Sequence, residues 1–196
     1  VIKGTSWQAA PGLFLYRRSL AQKYLGVNTP DEMQEKVKDW DTFLETAREV
    51  AKASEGATKL IPANGDVWQV VRTARTQPWV DAEYNLVVDD QVEWYFNFAK
   101  TLRDENLTAM ANPWSEAWNA GVGNDSIMGY FFSTWGIQWV MTGNAGGSKP
   151  GEGTYGDWAA VNGPQPYYWG GTWLNAASTC ENLPLAKDIM EYFTIE

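Results

Sequence analysis

Apolar residues recur along the chain at two spacings, and the alternation between them sets the expected elements. Leu13-Phe14-Leu15-Tyr16 is an unbroken apolar run behind Pro11-Gly12, which predicts a short strand. Leu20, Tyr24 and Leu25 then share a helical face, and that helix should stop near Gly26. Asn28-Thr29-Pro30-Asp31 is a loop able to open a short helix. The clearest periodic signal follows: Trp40, Phe43, Leu44, Ala47, Val50 and Ala51 form one stripe behind Asp39, a candidate N-cap. Asp41 and Glu45 stand near its N-terminal end, as the helix dipole favours. Residues 59–63 read as a buried strand, and Asn64-Gly65-Asp66 leads into a helix carrying Val67, Trp68, Val70 and Val71.

A second long helix is expected over residues 90–105, from the spacing of Val92, Tyr95, Phe96, Ala99 and Leu102. Asp89-Asp90 reads as a loop and capping pair at its start. A short helix over 113–120, a strand over 126–132 and a helical turn or two over 135–141 come next. Six glycines between 143 and 156 mark a flexible loop. Strands are expected over 158–161 and 172–177, and a helix over 183–194. Short strands alternating with helices make this an α/β chain, without repeats or heptad arrays.

Composition changes the picture. The 196 residues include 12 Trp, 9 Tyr and 7 Phe, and Trp is too large to be completely buried at many positions. Four of these rings crowd around Gly170-Gly171 in the stretch YYWGGTW, where glycine and proline disfavour a long helix and core strands seldom carry paired glycine. Such a stretch suits a binding surface: indole and phenol offer an apolar face with a polar edge, and glycine admits a ligand close to the backbone. Pyranose rings, with C–H faces and peripheral hydroxyls, fit that chemistry. The net charge of −9, with Arg17-Arg18 the only basic pair, argues against nucleic acid and against anionic lipid as partners. Histidine is absent, which removes the commonest general base and most zinc sites. No cofactor is expected. Cys180 is alone and reads as a buried small side chain. Nothing resembles a transmembrane helix or signal peptide, and both ends fall within patterned sequence, so the chain reads as a fragment.

The order of motifs carries a resemblance. GTSWQAAPGLFLYRRSLAQKYLG, KDWDTFLETAREVAK, AWNAGVGNDSIMGYFFSTWGIQWV and GGTWLNAASTCENLPLAKDIMEYF together resemble the extracellular solute-binding proteins of carbohydrate ABC importers, family 1 type. Lys38-Asp39-Trp40-Asp41 stands where that family has a Thr-Trp-Asp-type helix start, and Trp135 closes the strand segment after Gly129. Glu181-Asn182 departs modestly from the Lys-Asn-type turn. The resemblance implies a periplasmic-binding-protein type II-like fold of two α/β lobes that close on a ligand. On that reading residues 1–11 are a crossover from a first lobe, 12–157 are the second lobe, and 158–196 are the return crossover with a first-lobe strand and helix.

The resemblance also implies a function and a site. The function is capture of a carbohydrate, an oligosaccharide in view of the many rings, and delivery to permease subunits. The place is the extracellular side of a bacterial membrane, lipid-anchored or periplasmic, with membrane association only through a missing N-terminal anchor. Trp68 and Trp135 are the expected aromatic platforms, Asp66 a hydroxyl acceptor, and Trp7, Gln8, Trp169, Gly170 and Gly171 the cleft wall beside the hinge. Asp66 reads alternatively as the N-cap of its helix, and Trp68 and Trp135 alternatively as core. Trp40 and Trp139 are expected in the core, and Trp94 either there or as an exposed neighbour of the Tyr95-Phe96 stripe. The rival is a glycosidase with two carboxylates across the scissile bond, for which Asp66 and Asp157 are the candidates. A third reading is a non-catalytic domain that recognises a peptide or protein through its aromatics.

Overall fold

The apolar run at residues 13–16 becomes the middle strand of the main sheet. The computed structural model describes residues 4–195, and it opens with β1 (Thr5–Gln8) and this strand, β2 (Gly12–Arg17). Six helices follow: α1 (Arg18–Leu25), α2 (Pro30–Lys36), α3 (Trp40–Ala53), α4 (Asn64–Val71), α5 (Asp90–Asp104) and α6 (Glu116–Ala120). β3 (Gly129–Ser133) runs into α7 (Thr134–Gly136), a π-helical turn at Ile137–Met141, and α8 (Thr142–Asn144). β4 (Trp158–Val161), β5 (Thr172–Leu174) and α9 (Leu183–Thr194) complete the order. Residues 1–3 of the expected crossover and Glu196 lie outside the described residues.

β2 pairs antiparallel with β3 on one side and β4 on the other, while β1 and β5 form a separate antiparallel ribbon. β4, read from sequence as part of the return crossover, thus hydrogen-bonds along β2 inside the main sheet. Side chains alternate across the pleat and fill two layers. Phe131 and Phe14 meet Phe43 of α3, with ring centroids 5.0–5.6 Å apart. Tyr130 and Phe132 face the other way and meet the buried Trp118 of α6 at 5.3 Å each.

Local chemistry starts and stops the helices. Asp39 caps α3 by accepting from the Thr42 backbone N–H at 2.7 Å, and Gly26 ends α1 in the left-handed conformation at φ 67°. Thr29 and Glu32 form a capping box on α2, with Pro30 in its first turn. Asp89 caps α5 through the Gln91 N–H and also accepts from the Thr76 and Gln77 N–H groups, so it ties a loop to the helix start. Those hydrogen bonds hold its carboxyl below the usual range.

Several expectations need correction. The strand at 59–63 exists only as single parallel bridges, Lys59 to Ile127 and Ile61 to Thr108. Its two partners are separate segments, and Pro62 has no N–H to continue a ladder. The strand expected from residue 126 begins at Gly129; ahead of it the Ser126 carbonyl accepts from the Lys59 N–H and the Met128 N–H donates to the Lys59 carbonyl. The helix expected from residue 113 begins only at Glu116, where Ser115 accepts from the Trp118 N–H. On α5 Phe98 is buried and Phe96 exposed, the reverse of the expected stripe. Cys180 is half-buried. The glycine-rich stretch starts inside α8 and is pinned by Thr154, whose buried hydroxyl donates to the Val122 carbonyl at 2.9 Å. Trp40 packs against Phe43, Phe98 and Phe131 as expected, and its indole N–H donates to Gln165 Oε1 at 2.6 Å. Trp94 joins the same cluster, stacked on Phe98.

Candidate functional site

The helical segment after β3 displays two indoles four residues apart, Trp135 and Trp139. Trp135 is half-buried, and its N–H donates to the Trp169 carbonyl at 2.6 Å, which fixes the ring. Trp139, expected in the core, is 78% exposed. Its neighbours Val140 and Met141 are buried, so the π-helical turn directs those two inward and leaves the larger ring outside. Opposite them the chain returns through Gly170 and Gly171, at φ 94° and 112°, conformations that side chains other than hydrogen disfavour. A Cβ on Gly170 would lie 2.9 Å from Trp135 Nε1, so glycine is what lets backbone and indole approach.

Gln8, Trp135, Trp139, Gly170 and Gly171 together line an open hollow of about 280 Å³. A second hollow of about 690 Å³ shares Gln8 and Gly170 with it and adds Arg72, Thr73, Tyr168 and Trp173. The Gln8 carboxamide oxygen accepts from the Thr172 hydroxyl at 2.9 Å, across the β1–β5 ribbon. The joined surface therefore offers flat apolar faces with an amide, a hydroxyl and a guanidinium. That set suits a neutral ligand rich in hydroxyls.

The remaining expected site residues are placed elsewhere. Trp68 is half-buried and lines a separate apolar hollow of about 330 Å³ with Trp79, Val92, Tyr95 and Phe96. Its ring centroid is 4.9 Å from that of Tyr95, and the Arg75 guanidinium stacks over Trp79 at 3.7 Å. Because Trp68 and Arg72 belong to successive turns of one helical stretch, α4 and its C-cap connect the two regions. Trp7 is exposed on β1 and lines neither of the hollows at Gln8. Trp169 is buried, stacked on Phe132 at 5.4 Å and 8°, and lines neither hollow, but its carbonyl holds the Trp135 indole in place.

Asp66 is completely buried. The N-cap of α4 is Ala63, so Asp66 sits on the first turn without capping it. Its Oδ1 accepts from the Trp118 indole at 3.1 Å, and Oδ2 has no partner. Burial pushes its pKa from 3.8 to about 7, only partly offset by the Trp118 hydrogen bond. Asp157 is held differently. Arg17 Nε donates to it at 2.7 Å and the Ser19 N–H at 2.9 Å. Burial raises its pKa, but these bonds outweigh burial and leave it below the usual range. Among the described residues, no group of three or more metal-ligating side chains comes together, and no helix is long and apolar enough to cross a membrane.

Sequence reasoning missed Trp139, Trp114 and Arg72 as surface groups near the site, whereas Tyr168 and Trp173 belong to the YYWGGTW stretch that it read as a binding surface. The four-residue spacing of Trp135 and Trp139 was a usable signal. Nothing local marks Arg72.

No family profile and no curated protein matches the chain. Solved structures do. A crystal structure of an extracellular solute-binding protein family 1 superposes with TM-score 0.85 at 17% identity, covering 97% of this chain and 48% of its own. The ABC transporter-associated binding protein from B. animalis subsp. lactis Bl-04, in complex with β-1,6-galactobiose, gives 0.66 at 22% identity over 99% and 48%. The galacto-N-biose/lacto-N-biose I-binding protein from Bifidobacterium longum, in complex with lacto-N-biose, gives 0.69 at 17% over 99% and 48%. The chain has the α/β fold of type II periplasmic-binding-protein-like solute-binding proteins. It spans about half the length of the structures it matches.

Proposed function

We propose that the protein containing this chain captures a carbohydrate, an oligosaccharide, in a cleft between two lobes and delivers it to the permease of an ABC importer. It works on the extracellular side of a bacterial membrane, lipid-anchored or periplasmic. The observation that carries the reading is the hollow where Gln8 of the ribbon and Gly170-Gly171, just ahead of β5, meet Trp135 and Trp139. A sugar ring stacked on Trp135 would use the indole face, and its hydroxyls would reach Gln8, Arg72 and Thr73. Trp68, on the same helical stretch as Arg72, is the second proposed platform.

In this reading the second lobe, drawn from sequence as residues 12–157, runs on through β4 and the buried Tyr167 and Trp169. The β1–β5 ribbon is the hinge, and α9 belongs to the other lobe. The apolar face of α9 supports this: Leu185, Ile189, Tyr192 and Phe193 are exposed, and the helix buries no residue. Closure would follow from contacts that a ligand makes with both lobes at once.

Binding without chemistry fits the carboxylates better than hydrolysis does. Asp66 is sealed in the core, Asp157 is engaged by Arg17 and Ser19, and neither lines the hollows at Gln8. Calorimetric titration of the complete protein with disaccharides to pentasaccharides, followed by chromatography of the recovered sugar, tests the reading. Saturable binding and unaltered sugar are expected. Turnover that disappears in Asp157→Asn would instead establish a hydrolase.

A further inference from the structure

The two joined hollows are lined by a cation and by no anion. Arg72 is part of the lining and no Asp or Glu is, although the chain carries 24 acidic residues against 15 basic ones. Arg72 is the C-cap residue of α4 and is exposed. Arg17, Arg48 and Arg103 are paired with carboxylates, and Arg75 stacks over Trp79. Arg72 has no carboxylate partner among the described residues. An unpaired guanidinium beside a hollow presents a planar fork of donors that matches an oxyanion bidentately.

The neighbouring polar side chains reinforce that imbalance. The Gln8 carboxamide oxygen is engaged by the Thr172 hydroxyl, which leaves the amide N–H groups as donors. Ser6 and Thr73 donate to the Gln8 and Val70 carbonyls and keep only neutral oxygens as acceptors. Each hydroxyl of a neutral sugar both donates and accepts, so it needs acceptors as well as donors. An ionised carboxylate only accepts, and its charge-assisted hydrogen bonds are roughly twice as strong as neutral ones. The net charge of −9 opposes an approaching anion, but exposed charges more than about 8 Å away are largely screened at physiological salt. With no acid in the lining, Arg72 sets the sign of the charge that a ligand meets there.

We propose that Arg72 is a specificity-determining residue: the captured oligosaccharide carries an oxyanion substituent, a uronate carboxylate or a sulfate ester, which the Arg72 fork and the Gln8 amide receive. The proposal rests on the carbohydrate reading above. Arg72 lines only the larger hollow and Trp135 only the smaller, while Gln8 is shared by both. The charged unit therefore lies beside the stacked one, and the anion is a single substituent on an otherwise neutral, hydroxyl-rich chain.

Matched pairs of sugars test this: xylo-oligosaccharides with and without a glucuronate branch, galacturono- beside galacto-oligosaccharides, and sulfated carrageenan oligosaccharides beside their desulfated forms. The complete protein and its Arg72→Gln and Arg72→Lys variants are titrated with each pair at low and high salt, and their unfolding is followed. The charged member of at least one pair should bind about tenfold or more tighter than its neutral counterpart, the scale of one hydrogen bond to a charged group. Arg72→Gln should erase that preference at unchanged Tm, because the side chain is exposed and unpaired, and Arg72→Lys should restore part of it. Added salt should weaken binding of the charged member more than that of the neutral one. Whether the carboxylated or the sulfated sugar is preferred identifies the substituent. Neutral members that bind as tightly as charged ones, or a preference that survives Arg72→Gln, overturn the proposal while the carbohydrate reading stands. If no member of any pair binds the wild type, the carbohydrate reading fails and the proposal with it.

Discussion

Trp118 donates its indole N–H to Asp66 at 3.1 Å in a region where both side chains are completely sealed from solvent. The bond joins α4, which carries Trp68, to α6, whose Trp118 ring supports Trp114. It also leaves a carboxyl in the core with Oδ2 unpartnered. Such a group favours its neutral form.

The pH dependence follows from that preference. With the folded pKa raised from 3.8 to about 7, the favourable contribution of Asp66 is complete below the unfolded pKa. It is lost as pH rises to about 7, by up to about 4 kcal/mol. Asp66→Asn keeps an oxygen for Trp118 and cannot ionise, so its stability relative to wild type should increase steadily over that window. Thermal unfolding of both proteins at several pH values reads this directly. Parallel profiles would mean that Asp66 ionises as easily in the folded protein as in the unfolded one.

Arg17 and Asp157 should act at the acidic end. Arg17 is buried, and removing Asp157 by Asp157→Ala leaves its guanidinium with the exposed Asp125 as its one remaining carboxylate, beside the Asn124 carbonyl and the Ser19 hydroxyl. The expected loss is about 3 kcal/mol near neutrality. Because the folded pKa of Asp157 is lowered, its contribution is present above the ordinary carboxylate range and is lost on acidification below about pH 4. The wild-type and Asp157→Ala unfolding curves should therefore converge in acid. A constant gap at all pH values would contradict the ion pair.

Aromatic substitutions should separate into two groups. Trp135→Ala and Trp68→Ala should weaken sugar binding by about 1–3 kcal/mol. Trp40→Ala and Trp169→Ala, in or against the core, should mainly lower stability, by about 3–5 kcal/mol. Calorimetric affinity measured beside thermal unfolding distinguishes them. Trp68 or Trp135 variants that unfold early yet bind normally would remove those rings from the site.

Gly170→Ala should damage the hollow through the backbone. Its φ of 94° and the 2.9 Å approach of a Cβ to Trp135 Nε1 make alanine doubly unfavourable. A loss of about 1–3 kcal/mol of stability is expected, together with weaker sugar binding as Trp135 shifts. Trp fluorescence and titration would report both. Unchanged values would show that the ribbon relaxes without disturbing the indole.

The chain by itself should bind sugar at least about a hundredfold more weakly than a two-lobe protein containing it, a loss of roughly 2.7 kcal/mol or more. Amides of β5 and α9 should exchange faster than those of β2 and β3, since α9 buries no residue and β2 and β3 lie in the core. Equal affinities in paired titrations would make this chain a complete binding unit.

What sequence alone determined was set by short-range physics. The stripe from Trp40 to Ala51 required an amphipathic helix, Asp39 and Asp89 required caps, and the order of strands and helices required an α/β fold. These depend on residues a few positions apart, whose geometry the backbone dictates. Glycine in the YYWGGTW stretch was readable for the same reason, since its local backbone excludes a Cβ.

Tertiary structure alone decided which aromatic rings meet water. Trp135, Trp139 and Trp169 have similar local sequence credentials, yet one is half-buried, one exposed and one stacked beneath on Phe132. Asp66 looked like a surface acceptor or a cap, and its actual partner, Trp118, is 52 residues away in the chain. Burial is a property of every segment that packs against a side chain, so it cannot be read from the side chain's own neighbours in sequence. The core seals Asp66 and Trp169, while the meeting of β1, β5 and the turn after β3 leaves Gln8, Trp135 and Gly170 around one open hollow.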